Sequence, residues 1–136
     1  MAWRVIDTFF NNPCLNLNLM KDDWLGVIAK QSLKDVSVLD LLDVLRERQR
    51  ELGVSGMWTI MDVSINYDVM DKVVKKLKKG LRKGWYSYFW RGNRLIIVFK
   101  DKSFNIKKGS KKSLNRVKNW AFKNHNILPE VFSLDY

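Results

Sequence analysis

Cysteine and histidine occur once each in this 136-residue chain, as Cys14 and His125. A single thiol excludes an internal disulfide and a cysteine-based zinc cluster within the chain. It also fits a reducing compartment, so a cytoplasmic location is expected. With one thiol and one imidazole far apart in sequence, the spacing points to no cysteine–histidine nucleophile pair. No run of 18 uncharged apolar residues occurs, so no membrane partner is expected. Residues 1–10 carry Asp7 and lack the long apolar core of a secretory leader. Gly80, Gly84 and Gly92 match neither the Walker A spacing nor the dinucleotide-binding fingerprint. No cofactor, metal or catalytic residue is therefore assigned, and the chain reads as a binder more than an enzyme.

Acid is scarce in one region above all. Residues 72–123 hold eighteen of the 25 Lys and Arg against Asp101 alone, whereas 1–71 and 124–136 are each net negative. The formal net charge of +11 is thus regional, and regional charge speaks to partners more directly than a diffuse basic composition does. What is abundant is apolar and aromatic: 46% of residues are hydrophobic, with six Trp, seven Phe and four Tyr. That supports one domain over 1–136, with an acidic helical part (1–55) and a basic α/β part (56–136).

The expected class is α+β: a mainly antiparallel sheet of about four strands (57–65, 85–91, 94–100, 103–107) with helices 37–52, 68–83 and 113–124. Near the start, 3–10 suggests a strand, Asn11-Asn12-Pro13 a turn, and Leu15, Leu17 and Leu19 alternate with asparagine. Asp22 or Asp23 caps a short helix carrying Trp24, Leu25, Val27 and Ile28. Ser37 and Asp40 resemble a capping box for helix 37–52, whose apolar face is Val38, Leu41, Leu42, Leu45 and Leu52, with 46–51 as its wet side. The β-branched run Met57–Ile65 reads as a strand covered on both sides. Gly92-Asn93 is a two-residue hairpin turn pairing Trp90 with Leu95 and Tyr88 with Ile97. A second turn at Asp101-Lys102 would set Phe99 opposite Phe104. Alternation then gives a core face (Tyr86, Tyr88, Trp90, Leu95, Ile97, Phe99, Phe104, Ile106) and a mixed face. The apolar tail 127–136 is expected to dock.

Lys72, Lys75, Lys76, Lys79 and Lys83 form a stripe opposite the apolar face of helix 68–83. Arg91 and Arg94 stand at the hairpin tip, and Lys108, Lys111, Lys112 and Arg116 run from the basic loop into the last helix. Such a surface suits phosphate backbones, of RNA or DNA alike. Trp85 and Phe89, on the mixed sheet face, would supply stacking platforms if that face is open; acidic N-terminal helices lying over it would remove them. Two other readings are a protein-interaction module, in which acidic helix 37–52 meets the basic half of another copy or of a partner, and a metal-dependent nuclease using Asp62, Asp68 and Asp71.

A helix, three antiparallel strands and a second helix, with Gly109-Ser110-Lys111-Lys112 before the last, resembles a double-stranded-RNA-binding domain across 68–124. The resemblance implies that the Lys-Lys pair grips phosphates across a groove. The chain departs from that pattern in its tight Gly92-Asn93 turn, in Asn115 where a basic residue is expected, and in Trp120 where the family has small residues.

Overall fold

A computed structural model of the chain describes residues 23–51 and 56–127. The expectations for 3–19, Cys14 and the 128–136 tail lie outside those residues. The framework is one antiparallel sheet of six strands: β1 (Trp24–Ala29), β2 (Asp43–Glu51), β3 (Met57–Ile65), β4 (Tyr86–Arg91), β5 (Arg94–Phe99) and β6 (Lys102–Lys107). Their spatial order is β2-β3-β1-β4-β5-β6. Helix α1 (Met70–Gly80) lies between β3 and β4 in sequence, and α2 (Lys111–His125) follows β6.

Two of the six strands replace expected helices. The segment 24–28 is not a short helix but β1, the central strand, buried along its whole length between β3 and β4. Its apolar run was too short for periodicity to separate helix from buried strand. Helix 37–52 is also absent: Val36–Leu41 forms 3-10 turns, and 43–51 extends as β2. The reason lies in Asp62 on β3, whose side chain is 1% exposed. Arg46 donates from Nε to Asp62 Oδ2 at 2.9 Å, and Arg48 donates from a terminal nitrogen to Oδ1 at 3.1 Å. Side chains two apart share a face only in a strand. In a helix Arg46 and Arg48 would diverge by about 200° and could not both reach one carboxylate.

A β-bulge between Val44 and Arg46 sets this register. Asp43 pairs with Ser64 and Val44 with Val63, but then Arg46, not Leu45, stands opposite Asp62. From there Arg48 faces Ile60 and Arg50 faces Trp58.

Alternation along the strands divides the core in two. One face gathers Leu25, Val27, Ile60, Tyr88, Trp90, Ile97 and Phe99 with Val117 and Ala121 of α2. The other gathers Ile28, Met61, Val63, Phe89 and Val98 with Val73 and Leu77 of α1. Among the described residues, the mixed face expected from sequence is therefore covered by α1 and the 3-10 segment. Gly26 makes this packing possible: a Cβ there would collide with the Phe89 ring and stand 2.7 Å from the Tyr88 carbonyl.

The β4–β5 hairpin pairs as expected through Gly92-Asn93. The next turn falls one residue earlier, at Lys100-Asp101, so Phe99 pairs with Lys102 and Ile97 with Phe104. Asp101 adopts φ 67°, and its N–H donates to the Lys78 carbonyl at 2.8 Å. Anchoring to the end of α1 thus selects the turn. Helix α1 stops at Gly80, short of Gly84, because the Gly80 carbonyl accepts from Lys34 and Asp35, and Leu81 is extended and bridges to Leu33. Helix α2 begins at Lys111, capped by Ser110, and ends at left-handed Asn126.

Asp62→Ala should cost about 3 kcal/mol, because it leaves two partly buried guanidiniums without their counter-ion; urea denaturation measures it. Gly26→Ala should lose roughly 1–3 kcal/mol through overpacking against Phe89, read as a lowered thermal midpoint.

Candidate nucleic-acid interface

The two helices lie on opposite faces of the sheet but run the same way. Both start at the end holding the 92–93 turn, where the Lys108 N–H donates to the Asn93 carbonyl and Arg91 sits 4.5 Å over the Tyr67 ring. Both finish at the 100–101 turn, where Lys100 Nζ reaches the Lys79 carbonyl at 3.3 Å and the Gly84 N–H donates to His125 Nδ1 at 3.1 Å. Lysines crowd those finishing ends, where helix carbonyls favour positive charge.

The basic residues divide accordingly. Lys75 and Lys78 of α1 line a shallow groove with Ile96, Ser103 and Asn105 of β5 and β6. Lys75, Lys78 and Lys79 also border a second groove with Asp101. Lys72 is exposed on the outer side of α1, whereas Lys76 turns the other way and donates to Ser37 Oγ at 3.0 Å. On the opposite face Trp120 leans toward β6, 5.4 Å from Phe104. Arg116 and Lys123, four before and three after Trp120, share that side of α2. Arg94 holds Asn105 of β6 at 2.6 Å. Strand β6 itself carries Lys102 and Lys107, one at each end, and is an outer strand of the sheet.

Much of the surplus therefore flanks a single edge. Lys75 and Lys78 stand on one side of β6, Arg116 and Lys123 on the other, with Arg94, Lys102 and Lys107 between. Lys108, Lys111 and Lys112 continue from its end into α2, with Lys111 and Lys112 already helical and exposed. Between described residues the ion pairs are Arg46–Asp62 and Arg48–Asp62, so the nearby Asp71 and Asp101 close no ion pair with Lys75, Lys78 or Lys102.

The two expected stacking rings lie in different settings. Phe89 is fully buried under α1 and is out of reach of any ligand. Trp85 is half-buried on the α2 face, its ring 4.5 Å from Trp58. The sequence reading missed Lys78, Lys100, Lys102 and Trp120. The last three line a cleft of about 360 Å³ with Lys83, Asp101, Asn124 and His125. Their approach depends on which face each helix takes, which no local pattern carries.

The competing sites lose their geometry. Asp62 has each oxygen engaged by a guanidinium; Asp68 is exposed in a short 3-10 turn, Tyr67–Val69, and Asp71 in the first turn of α1. No group of three metal-ligating side chains occurs among the described residues. The interaction module built on an acidic helix 37–52 has no helix to use. The double-stranded-RNA-binding likeness stops at element order, because its three strands are half of a six-stranded sheet with α1 and α2 on opposite faces. Among the described residues no helix is long and apolar enough to cross a membrane.

His125 releases its proton more readily here than an ordinary imidazole does. Burial first, then the Lys83 charge, hold its imidazole below the ordinary value of 6.5, with Asp101 opposing them. The unfolded chain then binds the proton more readily than the native one. The contribution of His125 to stability is present above pH 6.5 and is lost as pH falls through the folded value. Thermal midpoints measured from about pH 8 down to pH 5 should show this acid-side loss, and His125→Gln should remove its share of it. No family model, curated protein or solved structure matches the chain, so its function is read from this geometry alone.

Proposed function

We propose that the protein binds nucleic acid without catalysis, through the cationic rim around β6. The observation that supports this is the run of cations on both sides of one outer strand, with the carboxylates at hand, Asp71 and Asp101, closing no ion pair with Lys75, Lys78 or Lys102. Lys75, Lys78, Lys102, Lys107 and Arg116 contact phosphates in this reading, and Lys79, Lys83, Arg94, Lys108, Lys111 and Lys112 extend the track at its two ends. Lys72 and Arg91 are peripheral, and Lys76 is turned away. Such contacts fix position on a backbone and carry no sequence information by themselves.

The driving term is counterion release, so the test is a salt series. Anisotropy of labelled single-stranded and duplex RNA and DNA should give a log Kd that rises linearly with log salt. Replacing Lys75, Lys78, Lys102 and Arg116 together by Gln should lower the magnitude of the single-strand slope by roughly 0.7 for each phosphate no longer neutralised, about 3 in all. Absence of binding to every probe at about 50 mM salt would overturn the reading.

A further inference from the structure

The cleft at the far end of the β6 rim differs from the rest of that rim in having an aromatic wall. Trp120 lines it, held by Phe99 at 5.0 Å and Phe104 at 5.4 Å, with the His125 ring 5.1 Å away. Among the described residues, three cations, Lys83, Lys100 and Lys102, surround the same space with one carboxylate, Asp101. Lys100 is positioned by its bond to the Lys79 carbonyl, and the Asp101 turn by its bond to Lys78. The polar atoms left over are specific in kind. Asn124 commits Nδ2 to the Trp120 carbonyl at 2.9 Å, which leaves Oδ1 to accept. His125 accepts through Nδ1 from Gly84, so Nε2 carries the ring proton.

We infer that this cleft receives one unpaired nucleotide, its base against Trp120 and its phosphate among Lys83, Lys100 and Lys102. The inference rests on the nucleic-acid reading and narrows it. A volume of about 360 Å³ suits one such unit and not a duplex. A duplex keeps its base faces stacked inside, so a ring wall is of use only to a base that is already free. The carboxylate of Asp101 and Asn124 Oδ1 are acceptors, which favours a base bearing an exocyclic amine (adenine, cytosine or guanine) over uracil or thymine. Single-stranded nucleic acid is therefore the expected partner class, with this cleft holding one base while the β6 rim follows the backbone.

His125 is the only histidine in the chain, so its ring protons give one unambiguous magnetic resonance signal inside the cleft. The protein is titrated with a short oligoadenylate and with the same oligomer made abasic throughout. The base-bearing oligomer should move the His125 Hε1 signal by ring-current shielding and bind about 5- to 150-fold more tightly than the abasic one. Lys83→Gln with Lys102→Gln, both at exposed positions, should weaken both oligomers while leaving the preference for the base-bearing one. Equal affinity for the two oligomers, or binding with an unmoved His125 signal, overturns the cleft and leaves the β6 rim standing. No binding of either at low salt removes both readings together.

Discussion

A carboxylate withdrawn from water must be met by cations, and at Asp62 that requirement reaches across the sheet to decide the form of a neighbouring segment. Arg46 and Arg48 come from an outer strand and remain 29% and 20% exposed at the side chain, so only the acid is fully withdrawn. The arrangement ties β2 to β3 through side chains as well as through the ladder. Burial first, and then the same carboxylate, raise the Tyr88 phenol well above its ordinary range, so Tyr88 stays protonated on the α2 face. With β2 fixed, β3 is covered on both edges, and β1 can lie at the centre as a strand.

The parts legible from sequence were those whose signal is local. The Gly92-Asn93 turn fixed the β4–β5 register, the β-branched run from Met57 to Ile65 marked β3, and the 3.6-residue repeat marked α1 and α2. The misread parts depend on residues far away in sequence. Arg46–Glu51 alternates in charge, and its mixed composition suits a solvated helix face until Asp62, sixteen positions beyond Arg46, is taken into account. Gly80 was legible as a weak point in a helix; its role as the place where Asp35 approaches α1, with a Cβ only 3.2 Å from where its own would be, was not.

For the candidate interface the same division holds. Lys72, Lys75, Lys76 and Lys79 could be placed on the outer side of α1 from spacing alone. Whether Lys75 and Arg116 would flank one strand or face away from each other depended on the sheet order and on the lean of Trp120 toward Phe104. The aromatic partner was misassigned for a related reason: Phe89 alternates onto the less apolar face, yet that face is where α1 docks. Outer β6 also shows how two demands coincide, since lysines at both ends of a strand with one paired side oppose strand addition by another chain.

Leu45, the residue the ladder skips, works as a parity switch. Before it, odd-numbered Asp43 shares the side of the sheet that bears α2; after it, the even-numbered arginines do, and Glu47 and Glu51 are sent to the other side. Excising that one position would leave an unbroken ladder, with Val44 still opposite Val63 and Arg46 still opposite Asp62, because the pairing already passes it over. Excising Val44 with it would bring Arg46 opposite Val63 and turn the remaining strand over, presenting Glu47 to the Asp62 carboxylate and guanidiniums to the layer beneath α1. This short segment can therefore lose its supernumerary residue and keep its sense, but the loss of one more inverts it.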